Sequence, residues 1–167
     1  HFLEHMAFNG SKARPAGELV KILERLGLAF GADTNASTGF SETIYKLDLP
    51  RTDDETIDTA LKVFRQTAGE LTIAPDAVDR ERGVVLSEER LRDTPGYRAV
   101  VERLKFLLKG QRLPERLPIG KVGVLNTGRA SRIAEFYRAW YRPERAVLVA
   151  VGDFDVDAME AKIRAAF

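Results

Sequence analysis

The sequence has no cysteine. That excludes a disulfide framework and any thiolate metal site, so a bound metal must take nitrogen and oxygen ligands. It does not separate compartments, because exported proteins can also lack cysteine. Histidine is nearly as scarce, with two residues, His1 and His5. No apolar run comes near the ~18 residues of a membrane span. Net charge is almost nil as well: 26 basic residues against 25 acidic leave +1. That balance offers no electrostatic footprint for nucleic acid or an acidic lipid surface. What is present is ordinary, 44% hydrophobic and 31% charged over 167 residues. Such a length makes one domain that buries roughly 70% of its unfolded surface. The first residue is a histidine already inside a motif and no signal segment is visible, so the chain reads as a fragment of a longer polypeptide.

Residues 1–8 read as a short helix with Phe2, Leu3 and Met6 toward a core, broken at Asn9-Gly10-Ser11. Pro15 sits near the start of a second helix to about Leu26, with Leu19, Ile22, Leu23 and Leu26 at helical spacing. Leu28 to Thr38 is small and polar around Phe30, and Thr43 to Leu49 alternates with period two up to Pro50. A turn near Thr38–Ser41 joins the two as a hairpin. Thr52-Asp53-Asp54-Glu55 is a helix entry, with a capping hydroxyl and carboxylates at the positive end of the dipole. Pro75 opens a longer helix to about Arg92 whose apolar side is Val78, Val84, Val85 and Leu86. Helix resumes after Pro95-Gly96, 110–125 is loop-rich, and 130–141 is helical again. Ala146 to Val151 is apolar enough for a buried strand, and a last helix starts at Val156. The order predicts an α+β domain: a mixed, largely antiparallel sheet with helices packed on it. Three strands are few for a stable sheet, so one or two strands ahead of residue 1 are expected to complete it.

The chemistry concentrates at the start. His1 and His5 are four apart, which puts two imidazoles one turn apart on one helix face, where they can share a Zn²⁺. Glu4, three residues after His1 on the same side, is positioned to serve as a general base. His-x-x-Glu-His is the inverted zinc-peptidase motif. The bland alternative is a pair of surface histidines, and Glu4 in that slot weighs against it. A catalytic zinc takes three protein ligands and leaves one position open. With no further His and no Cys, the third ligand must be Asp or Glu. The candidates lie in Glu81-Arg82-Gly83-Val84-Val85-Leu86-Ser87-Glu88-Glu89-Arg90, where Glu81 and Glu88 are two turns apart on one face. A solvated, ion-paired helix face is the ordinary explanation for such glutamates.

With these residues the chain resembles the pitrilysin/insulinase family of inverted-motif zinc metallopeptidases, which includes insulin-degrading enzyme and the mitochondrial processing peptidase β-subunit. The run His1-Phe2-Leu3-Glu4-His5-Met6-Ala7-Phe8-Asn9-Gly10 is most similar to the bacterial PqqL-like branch. The resemblance implies a metallohydrolase domain of the processing-peptidase type, with residues 1–167 as a single N-terminal zinc-peptidase domain. It implies Glu88 as the third zinc ligand and Glu81 as a supporting acid. The interval from His5 to Glu88 is several residues longer than the family's usual one, which keeps Glu81 open as the alternative ligand. Asn35-Ala36-Ser37-Thr38 matches the family's edge strand, to which substrate adds as an extra strand, so Asn35 and Ala36 become candidate substrate contacts. A polar hairpin edge is the plain reading of the same residues. Trp140 and Tyr141 read as structural landmarks, Tyr45 as a cross-strand packing residue, and Arg82 as a surface or ion-pair residue.

The expected activity is zinc-dependent endoproteolysis of extended peptides, with His1, His5 and Glu88 holding Zn²⁺ and Glu4 moving the proton. The resemblance also implies a homologous second half or subunit that contributes an arginine and a tyrosine to oxyanion stabilisation. No stretch of this chain is assigned that part, so the chain alone is expected to bind zinc and cleave poorly. Expected partners are a peptide or small protein substrate and that second half, with no nucleic acid and no membrane span. Bacterial relatives are often exported, so the periplasm is the expected compartment. The competing reading is a non-catalytic homologous domain or zinc-binding partner module. A structural zinc site fits less well, because such sites are closed by four ligands.

Overall fold

The computed structural model describes residues 1–29, 31 and 34–167. Among them the order is α1 (Phe2–Met6), α2 (Glu18–Arg25), β1 (Thr34–Thr38), β2 (Thr43–Leu47), α3 (Asp54–Gly69), α4 (Pro75–Arg92), α5 (Pro95–Leu107), α6 (Val122–Thr127), α7 (Ala130–Trp140) and α8 (Val156–Ala166). This is the expected α+β class, dominated by helices and carrying a small antiparallel sheet. β1 and β2 pair with Thr34 opposite Leu47 and Thr38 opposite Thr43, and the Gly39 N–H closes the hairpin on the Glu42 carbonyl at 2.8 Å. Phe30, assigned by sequence to the first strand, lies outside the described residues.

Local chemistry sets the helix starts. Asp53, rather than Thr52, caps α3: its carboxylate accepts from the Thr56 N–H at 3.0 Å and from the Thr56 hydroxyl. Those bonds satisfy one free amide of the first turn and bury Thr56 completely. Pro75 begins α4 at a position where its missing N–H costs nothing. Gly10, just past α1, holds φ +116°, and a Cβ there would meet the Ala16 nitrogen at 3.2 Å. Only glycine fits this turn, which takes the chain off α1 so that α1 can lie against α4.

The core that positions the site joins α1 to α4 and α7. Leu3, Met6 and Ala7 pack with Leu71, Ile73, Ala77, Val78 and Tyr137. Tyr137 ties this cluster to the end of α3, accepting from the Leu71 N–H at 3.3 Å and donating to the Thr67 carbonyl at 2.8 Å. A second cluster sets α2 on α3 through Leu19, Leu23, Leu28 and Val63. A third sets α8 on α3 through Ile57, Leu61 and Met159.

Three sequence expectations fail. Ala146 to Val151 is neither a strand nor buried: Val147, Val149 and Val151 are 88%, 75% and 91% exposed. Among the described residues, no backbone hydrogen bond involves residues 147–151. Leu148, on the opposite face, packs against the third cluster. Apolar content signals a need for cover, but a strand also needs a partner in register, and among the described residues none pairs with 147–151. On α4, Val85 is fully buried but Val84 is exposed, because successive helical residues point about 100° apart and only one can face α1. The loop-rich stretch ends in α6, which glycine and proline content concealed.

Candidate metal centre

α1 is five residues long and is held from below by Leu3 and Met6. Its i to i+4 geometry brings the His1 and His5 rings to 4.7 Å between centroids, tilted by 72°. α4 faces them with a stripe of Val78, Glu81, Val85 and Glu88, in which the two buried valines seat the helix and the two glutamates point toward α1. Glu88 Oε2 lies 3.1 Å from His1 Nε2 and 3.4 Å from His5 Nε2. One ligand atom from each of these three residues falls within 4.8 Å of the others.

The two glutamates occupy different places. Glu81 Oε1 lies 2.8 Å from His5 Nδ1, and Glu81 Oε2 accepts from the Asn9 side-chain amide at 3.0 Å. A carboxylate can only accept, so His5 carries its proton on Nδ1 and turns the Nε2 lone pair toward Glu88. Glu88 Oε2, though close to both Nε2 atoms, is buried without a hydrogen bond, and so is His1 Nδ1. Two imidazole nitrogens and a carboxylate oxygen thus converge without a hydrogen bond among them, an arrangement that a cation would satisfy. All three are imidazole nitrogen or carboxylate oxygen, a set that suits Zn²⁺. Glu88 Oε1 is 3.8 Å from Arg92, on the outer side.

Glu4 is 9% exposed and takes a hydrogen bond from the Thr38 hydroxyl of β1. Thr38 Oγ1 is 3.5 Å from Thr43 Oγ1 across the hairpin. The Tyr141 and Tyr45 hydroxyls are 2.7 Å apart. Burial pushes the phenols of Tyr45 and Tyr141 well above their ordinary range, so both remain neutral O–H groups at neutral pH. Asn35 and Ala36 lie on β1 away from the ligand cluster. Asn35 is exposed, and its side-chain oxygen accepts from the Ala36 N–H at 2.8 Å. In the ladder set by the Gly39–Glu42 pair, Ala36 and Thr38 fall at non-hydrogen-bonded positions, so their amides face the outer edge of β1.

Residues 1–104 match the family model described as insulinase, peptidase family M16. The chain belongs to peptidase family M16. Residues 129–167 match the model for the M16 inactive domain. Among curated M16 relatives, the probable zinc protease PqqL of Haemophilus influenzae is 39% identical over 93% of this chain, and that of Escherichia coli 36% over 93%. The chain spans 17% of the length of each. The crystal structure of the first half of the periplasmic protease PqqL from Escherichia coli superposes with a TM-score of 0.94 at 34% identity, covering 99% of this chain and 35% of that one. A mutant of the ferredoxin protease FusC in complex with Arabidopsis ferredoxin gives 0.92 at 28% identity, covering 100% and 18%. These relatives are named as proteases, several as zinc proteases, so this is a domain of a protease family. No helix among the described residues is long and apolar enough to cross a membrane.

Five residues of this M16 domain matter more than their sequence context suggested. Asn9, read as a helix breaker, braces Glu81 and also bonds the His5 carbonyl at 3.1 Å. Its spacing of four from His5 was the available signal. Thr38 and Thr43 gave none beyond strand propensity. Tyr141, read as packing, carries a polar contact as well. Arg82, read as a surface or ion-pair residue, does pair with Asp79 at 3.0 Å, and its guanidinium also binds the carbonyls of Leu125 and Gly128, fastening α4 to α6.

Proposed function

We propose that this chain is the metal-holding part of a zinc-dependent endopeptidase that hydrolyses extended peptides. The observation that carries the reading is the convergence of His1 Nε2, His5 Nε2 and Glu88 Oε2 without a hydrogen bond between them. His1, His5 and Glu88 would hold Zn²⁺, and Glu81 with Asn9 keeps His5 in the tautomer and orientation that binding needs. Bound zinc supplies a Lewis acid that activates water and polarises the scissile carbonyl. Glu4 accepts the proton of the attacking water and returns it to the leaving amine. The outer edge of β1 holds the substrate backbone through Ala36, with Asn35 beside it.

Residues 1–167 act as one domain in this reading. Support comes from Tyr137, within the stretch matched to the inactive-domain model, which packs in one cluster with Leu3, Met6 and Val78. A homologous second half or subunit completes the active site. The small share of its relatives' length that this chain spans is consistent with that. The periplasm is the proposed compartment, after the periplasmic relative.

The inactive-domain match speaks for a second reading, a non-catalytic partner module. It weakens because His1, Glu4, His5, Glu81 and Glu88 all lie outside residues 129–167. One experiment separates the readings. Zinc per chain is measured after dialysis for the native protein, Glu88→Gln and Glu4→Gln, and hydrolysis of a quenched fluorescent peptide is measured for the full-length polypeptide. The peptidase reading expects near-stoichiometric zinc lost in Glu88→Gln, and hydrolysis lost in Glu4→Gln with zinc retained. Zinc without any Glu4-dependent hydrolysis in the full-length protein would select the partner module.

A further inference from the structure

We infer that Thr38 is a positioning residue for the proton carrier, and that the strand receiving the substrate therefore also aims the Glu4 carboxylate. The inference rests on the reading of Glu4 as that carrier. Among the described residues, the Thr38 hydroxyl is the side chain that hydrogen-bonds Glu4, and it arrives from β1 while Glu4 sits on α1. Glu4 is nearly enclosed, so its orientation depends on this partner rather than on water.

The proton order behind Thr38 is fixed. A carboxylate only accepts, so the single hydroxyl proton of Thr38 goes to Glu4. In the 3.5 Å contact between the two threonines, Thr43 is then the donor and Thr38 the acceptor. The hydroxyls of Thr38 and Thr43, on β1 and β2, thus both point their donors toward one carboxylate. Such a chain polarises in one direction and resists rotation of its last member.

Backbone geometry extends the argument. Thr38 lies two residues beyond Ala36, with its amide on the same outer edge. A peptide pairing along that edge restrains the β1 backbone on which the Thr38 side chain rides. Seating of substrate and aiming of the base become one event, and the benefit falls on the chemical step more than on binding.

The test uses the full-length zinc-loaded protein with Thr38→Val and Thr38→Ser. Valine keeps shape and strand propensity and removes only the hydroxyl; serine restores it. The expected result is a fall in kcat of about tenfold to a hundredfold for Thr38→Val, with KM within about twofold, zinc content unchanged, and Thr38→Ser recovering most of the loss. Crystal structures of the three proteins should show the Glu4 carboxylate rotated in Thr38→Val alone. An unmoved carboxylate, or a kcat for Thr38→Val within about twofold of the native value, overturns the inference. If the native protein and Glu4→Gln hydrolyse peptide equally slowly, the peptidase reading fails, and the Glu4 rotamer still decides the role of Thr38.

Discussion

Glu81 Oε1 stands 2.8 Å from His5 Nδ1, on the side of the imidazole turned away from Glu88. The carboxylate therefore fixes which nitrogen of His5 is free. Replacing Glu81 with alanine should weaken zinc binding by about tenfold to a hundredfold without abolishing it, whereas Glu88→Ala should abolish it at the same metal concentration. Competition against a chromophoric chelator measures both. Equal losses in the two variants would mean that Glu81, too, binds the metal.

Tyr137 is the hinge pin between α7 and the end of α3. Phenylalanine at this position leaves the Leu71 N–H and the Thr67 carbonyl in the core without their partner. Tyr137→Phe should cost about 1–3 kcal/mol in urea unfolding, although the ring itself is retained. A loss below roughly 0.5 kcal/mol would show that other groups take over both backbone atoms.

The cap of α3 predicts a pH dependence. Bonds from the Thr56 amide and then the Thr56 hydroxyl hold the Asp53 carboxyl below its ordinary value of 3.8. A carboxyl whose pKa is lower in the folded state stabilises that state above the ordinary value, and this stabilisation is lost as pH falls through the lower, folded value. The urea midpoints of the native protein and Asp53→Ala should thus differ at pH 6 and converge toward pH 2. A gap of constant size would assign the effect to the helix and not to the carboxylate.

The bare valines of residues 147–151 predict how the chain behaves alone. Three exposed valines on one face of a backbone that makes no backbone hydrogen bond among the described residues form an open edge that pairs readily with its like. The isolated chain should self-associate in sedimentation velocity, and Val149→Lys should shift it toward monomer. Association unchanged by the lysine would locate the contact elsewhere.

These cases also explain what was legible in the sequence. The His1, Glu4 and His5 arrangement, the hairpin, the long α4 and the separate places of Glu81 and Glu88 follow from spacing along one helix or from strand alternation, or from the family resemblance those residues carried. Thr38 to Glu4 and Tyr45 to Tyr141 join residues 34 and 96 positions apart, and nothing in the local pattern of either partner announces the other. Ala146 to Val151 was misread for a different reason. Its hydrophobicity states a preference for cover, but whether cover exists depends on surfaces that periodicity does not describe. For Arg82, the ion pair with Asp79 follows from helical spacing, but its other partners, the carbonyls of Leu125 and Gly128, carry no sequence signature.

The hydrogen bond from the Ala36 amide to the Asn35 side chain has one more consequence. An outward-facing amide on an edge strand invites any passing strand to dock. Here the neighbouring residue occupies that amide with its own oxygen, so an incoming chain must first displace a tethered competitor. Because it is tethered, the competitor is always at hand, and a short or poorly aligned segment gains too little from one or two bonds to evict it. A long, well-registered strand gains enough. The edge thus filters its visitors by length and register before any side chain has been read.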